Sequence, residues 1–331
     1  MATHERRACS AYLNLVAPPM SSTVAASITK DDKEVINILR DSHFYMICGR
    51  SVAKFGVITL SGDGVFNVEI TLDSGLSSSG QIHTSRISHL ESAFNNNLSL
   101  TLKYNEKYLS LLVGKEIIYA ILPDELLIKR GRGEYSVTGF DNYLEMMTFD
   151  LLYVGIAKEN QDSYSRLIEK GHTARMNILS AEEQRTPGAR VSDETYLLLF
   201  KVEPLAVTVF SGPNDFDDDD FNFDIDYHRI IADAEKAVIS TFKPKYNKQL
   251  YVNYPKGKDG LFEQGYDGYS YSIAEGIALN TAYGTIKGAR DLAGLLASND
   301  ADFISVDESG VTLNISGVDF NIPFDSSELE S

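Results

Sequence analysis

The apolar positions change period several times along the chain. Residues 1–28 show none and read as a flexible N-terminal tail. From Lys30 to Arg40, Val35, Ile36 and Leu39 fall on one side of a short helix, capped by Thr29 or Asp31. Strand-like runs follow: HFYMICG, FGVITLSGDGVFNVEITL, LSLTLKYN and YLSLLVGKEIIYAIL. Gly62-Asp63-Gly64 separates two alternating runs and predicts a hairpin. Residues 29–132 therefore predict a β-rich domain. Its His83, His89 and the run Lys129 to Gly133 suggest no chemistry and read as solvated surface.

Beyond Gly133 the pattern is mixed. LLYVGIA (151–157) predicts a strand, and a helix follows over about 163–170, capped by Asp162 or Ser163 and stopped by Gly171. A second helix spans about 173–184, and TYLLLFKVEPLAVTVF predicts a buried strand. A further helix runs from about Tyr227 to Phe242 and stops before Pro244. The last residues predict a helix over 281–296 and a small β meander. The fold class expected is α+β: a β-rich N-terminal domain, then a small antiparallel sheet flanked by helices, then an acidic α/β extension over 257–331.

Charge divides unevenly. Of the net −17, seven aspartates lie between Pro213 and Asp226, while residues 261–331 carry two basic and twelve acidic groups. The remainder of the chain is neutral, so its acidity does not exclude nucleic acid as a partner. An apolar content of 43% with 23% charged residues is globular, and no apolar run is long enough to span a membrane. Arg6 and Arg7 precede a short apolar stretch, but Ser10, Asn14 and Pro18-Pro19 interrupt it, so no secretion signal is read there. Two cysteines, Cys9 and Cys48, make neither a disulfide framework nor a zinc site alone, and the compartment expected is cytoplasmic.

Chemistry is suggested first by Glu235. Ile231, Ala234, Val238 and Phe242 mark an apolar helix face, and Glu235 lies within it, where a carboxylate is costly unless paired or metal-bound. Around it, YVGIAK, SRLIEKGH and AEKAVISTFKPKYN occur in that order. Together they resemble the GIY-YIG nuclease family: its second tyrosine motif, its helix of an arginine followed by a histidine, and its glutamate helix closing with proline and asparagine. The resemblance covers roughly residues 133–255 and implies a nuclease domain over 133–256, with an acidic insertion at 213–226.

By that resemblance Glu235 would hold Mg²⁺ (or Mn²⁺) and Arg166 would meet the phosphoryl oxygens. Tyr153 or the first-motif tyrosine would position or deprotonate the water, with His172 as proton acceptor and Asn247 at the site's edge. The first motif has two candidates. Tyr135 in GEYSVTG keeps a glycine and strand character and is preferred; Tyr143 has the better spacing from Tyr153. Lys236, Lys243, Lys245 and Lys248, with Tyr246 among them, suggest a surface that tracks a phosphate backbone and stacks bases. The expectation is an Mg²⁺-dependent endonuclease, DNA favoured over RNA, in bacterial defence or genome maintenance. A catalytically inactive module of the same fold, binding nucleic acid or a partner protein, is the alternative. The acidic loop would gate the lysine surface or, like the tail, dock a basic protein partner.

Overall fold

The computed structural model describes residues 6–62, 64–96, 98–157, 161–209, 226–291, 296–318 and 322–323. The acidic insertion, Asp226 apart, lies outside them. The fold is α+β, built on a large curled sheet of eleven strands among the described residues.

At the centre of that sheet is the strand Phe44–Gly49, every residue of which is buried. It runs antiparallel between Thr148–Ile156 on one side and the long strand Thr195–Val209 on the other. Such continuous apolar runs are what a strand needs when both of its faces are covered. One face presents Tyr45, Ile47, Leu152, Leu197 and Leu199. Ile36 and Leu39 of the helix Lys33–Arg40, Leu167, and Ile178 of the helix Thr173–Ala181 cover it. The other face presents Phe44, Met46, Cys48, Val154, Leu198 and Phe200 to the larger core, to which the helix Tyr227–Phe242 contributes Ile230, Ala234, Ala237 and Val238. No helix among the described residues is long and apolar enough to cross a membrane.

Three sequence expectations change. Residues 6–15 are not a loose tail but a ten-residue strand. Cys9, Ala11, Leu13 and Leu15 alternate inward, a period the small side chains of Cys9 and Ala11 conceal. This strand pairs antiparallel with Thr195–Val209 and parallel with Gly268–Ile273, so its partners lie far along the chain and leave no local signal. Where a helix is expected over 281–296, residues 278–287 form a hairpin, Ala278–Thr281 with Gly284–Lys287, closed by a two-residue turn at Ala282 and Tyr283, and residues 292–295 lie outside the described residues. Gly284, at φ +127°, supplies a backbone geometry that a helix could not use. The acidic extension accordingly belongs to the large sheet on both of its sides.

The β-rich region is an insertion between neighbouring strands. Leaving the sheet at Gly49, the chain forms a four-stranded sheet that includes the expected hairpin, Ala53–Leu60 with Val65–Leu72. It then forms a three-stranded sheet and the helix Pro123–Gly131 before returning at Thr148.

Candidate active site

The YVGI segment lies on the strand Thr148–Ile156, whose Gly155 sits directly opposite Tyr45. Period-two alternation puts Tyr45, Tyr153 and Gly155 on one face of the sheet. The Tyr45 ring lies over Gly155, where a Cβ would come 2.7 Å from the Tyr45 hydroxyl and 2.9 Å from the Tyr153 ring. The glycine of the segment is therefore a packing requirement. It lets the two rings stack at 6.3 Å between centroids.

His172 completes the aromatic group. Its ring centre is 5.9 Å from that of Tyr45 and 5.8 Å from that of Tyr153, and its Nε2 lies 3.4 Å from the Tyr45 hydroxyl. It occupies the N-cap of the helix Thr173–Ala181, whose dipole disfavours positive charge. Burial, followed by the charge of Arg166, holds its pKa below the ordinary histidine value. Arg166 lies on the helical turn Ser165–Glu169, entered through Asp162, which accepts from the Ser165 N–H at 2.7 Å. Burial raises the pKa of both phenols; the Arg166 guanidinium opposes the rise and the Glu235 carboxylate adds to it.

Glu235 arrives from the other face of the sheet. Asp226 caps its helix by accepting from the Arg229 N–H, and the helix ends at Lys243, φ +48°, immediately before Pro244. Ile156 presents its N–H to the same strand edge as Val154 two residues earlier, and this amide helps to hold Glu235 ionised. Burial is the stronger effect: against Arg166, Ile156 and Lys236, it raises the Glu235 pKa to about 7.

Asn247 is spent on architecture. Its side-chain amide accepts from the Val154 N–H at 2.9 Å and donates to the Val154 carbonyl at 2.8 Å, while the Tyr246 N–H donates to the Leu152 carbonyl. Residues 246–247 thus extend the sheet along the free edge of the Tyr153 strand. Asn247→Ala leaves both Val154 groups without these partners and is expected to cost about 1–3 kcal/mol. A urea titration should show the midpoint fall; an unchanged midpoint would contradict this role.

The result is a cleft of about 440 Å³ whose lining includes Tyr153, His172, Glu235, Asn247, Lys248 and Tyr251. Tyr45, fully buried, stands behind it. The two first-motif candidates lie elsewhere. Tyr135 is 86% exposed, and its carbonyl accepts from Arg86. The Tyr143 ring lies beneath Arg130 and beside Gly131 and Gly276. Tyr45 is the tyrosine beside Tyr153. Its signal in the sequence was a phenol set in an otherwise apolar strand, where the hydroxyl requires a partner.

The lysine surface is also smaller than expected. Lys236 is buried and ion-paired with Asp259. Lys245 and the Tyr246 hydroxyl both contact Glu182, at 2.7 and 2.6 Å. The Lys243 ammonium sits over the Tyr283 ring. Of these lysines, only Lys248 lines the cleft. No cluster of three or more metal-ligating His, Cys, Asp or Glu side chains forms among the described residues. No protein-family model, curated protein or solved structure matches this chain.

Proposed function

We propose that the chain is a metal-dependent phosphodiesterase of nucleic acid, of the GIY-YIG type, with Tyr45 filling the first tyrosine position. The observation that carries this reading is the grouping of Tyr153, His172 and Glu235 in the lining of one cleft, with Tyr45 buried behind it and the Arg166 charge near enough to act on all four.

The side chains divide the work by their ionisation. Both phenols are held protonated at neutral pH; Tyr153, in the cleft lining, can orient water by hydrogen bonding, while the buried Tyr45 orients His172. His172 is held neutral, which suits it to accept a proton, and the Tyr45 hydroxyl beside its Nε2 fixes the ring. Arg166 supplies a planar fork for the phosphoryl oxygens. Glu235 suits Mg²⁺ or Mn²⁺: the surrounding positive charge does not offset its burial, and Mg²⁺ is commonly held by one or two carboxylates together with substrate phosphates. When bound, the ion would neutralise charge developing on the phosphate.

Nicking of supercoiled plasmid by the purified protein tests the reading. Activity should require Mg²⁺ or Mn²⁺. His172→Gln should lower it about 10²-fold, the scale of general base catalysis, and Tyr153→Phe by a similar factor through loss of the hydroxyl that positions the water. Tyr45→Phe, acting through His172, should lower it about tenfold, and Tyr135→Phe not at all. If neither plasmid nor single-stranded RNA is cut, or if Tyr153→Phe and His172→Gln cut normally, the proposal fails.

A further inference from the structure

Beside this cleft lies a second, larger one of about 600 Å³. The two share Gln249 and Tyr251, so Tyr251 stands in the wall between them. Its backbone holds φ +50°, a left-handed conformation that a non-glycine residue keeps only where its surroundings fix it. The half-buried ring packs against the main core. Burial, then Glu235, raise its hydroxyl pKa to about 12, which leaves it a neutral aromatic surface.

The second cleft has no evident chemistry of its own. Its carboxylate, Asp259, is ion-paired with Lys236. What it offers is an aromatic wall, the exposed amides of Gln249 and Asn253, and the exposed Lys256 ammonium. Its volume falls within the range of small-ligand sites, roughly 300–1,000 Å³. An aromatic face, amides and a cation match the base and phosphate of a nucleotide. A base inside a duplex is stacked and cannot enter such a cleft.

We infer that the second cleft binds an unpaired nucleotide next to the scissile phosphate, its base stacked on Tyr251 and its phosphate met by Lys256. Cleavage of that phosphate rests on the function proposed above; binding of the unpaired nucleotide does not. The substrate class is then single-stranded or locally opened nucleic acid.

Fluorescence anisotropy with a labelled oligothymidylate and a blunt duplex tests this, using the full chain carrying Glu235→Gln to prevent cleavage. The single strand should bind more tightly than the duplex. Tyr251→Gly, which removes the ring while suiting the left-handed backbone, should weaken single-strand binding at least tenfold, and Tyr251→Phe should bind like the parent. Lys256→Ala, at an exposed position, should lower the slope of log affinity against log salt by about one. A preference of the parent for duplex, or parent-like single-strand binding by both Tyr251→Gly and Lys256→Ala, would overturn the inference. Tyr251-dependent binding without metal-dependent cleavage would support the nucleotide site and remove the hydrolytic reading. Cleavage with parent-like binding in both variants would do the reverse.

Discussion

Glu235→Gln is expected to lower nicking about 10³-fold while making the protein more stable above pH 7. Under the proposed function the first effect would be the loss of a metal ligand, an interaction worth several kcal/mol in the transition state. The second follows from the carboxylate's surroundings. Its pKa rises from 4.5 to about 7 on folding, so the folded state keeps a proton that the unfolded chain gives up. Stability is fully present below pH 4.5 and is lost as pH rises to about 7, by an amount on the order of 3 kcal/mol. Glutamine is neutral and nearly isosteric, so it avoids that loss. Thermal melts of the two proteins should coincide near pH 4 and separate by pH 8. Magnesium should then stabilise the wild type at pH 8 and not the variant. An active Glu235→Gln would remove the glutamate from the metal role, and equal melting at pH 8 would contradict its burial as a charge.

Glu275→Ala is expected to be the most destabilising single change, at about 3–5 kcal/mol. Glu275 is fully buried and accepts from Arg132 at 2.7 Å, from Arg290 at 2.5 Å and from the Leu15 N–H at 3.0 Å. Arg132 also donates to the Leu15 carbonyl, and Arg290 to the Asn14 side chain. One carboxylate thus ties the end of the first strand to the insertion and to the C-terminal segment. Its removal leaves two guanidinium groups without their counter-charge and a backbone N–H without its acceptor. Urea unfolding measures the loss, and a value below about 1 kcal/mol would show that water or rearrangement replaces the carboxylate.

The parts of the site legible in the sequence were those set by short-range physics. The pattern predicts the glutamate helix over about Tyr227 to Phe242, and the structure gives the same span, because periodicity and Pro244 define it locally. Glu235 stood out because a carboxylate interrupts an apolar face. Tyr45 did not, because roughly a hundred residues of inserted β structure separate it from Tyr153. Its pairing with Gly155 exists only once the sheet closes. The lysines misled for a similar reason. Spacing showed their density but not that Asp259, Glu182 and Tyr283, distant in sequence, already occupy Lys236, Lys245 and Lys243. The N-terminal strand was hidden because its pairing residues begin at positions 200 and 268.

The strand Arg6–Leu15, with partners on both sides, also sets a timetable for synthesis. It leaves the ribosome before both of its partners, since its antiparallel neighbour ends at Val209 and its parallel neighbour at Ile273. At a translation rate of about 5–20 residues per second, this segment waits some ten seconds or longer with open hydrogen-bonding edges. The β-rich insertion, whose pairings are nearer in sequence, can form during that wait. The cleft cannot, since Glu235 follows Tyr45 and Tyr153 out of the ribosome. A nascent chain would therefore carry a folded insertion well before it carried the assembled cleft.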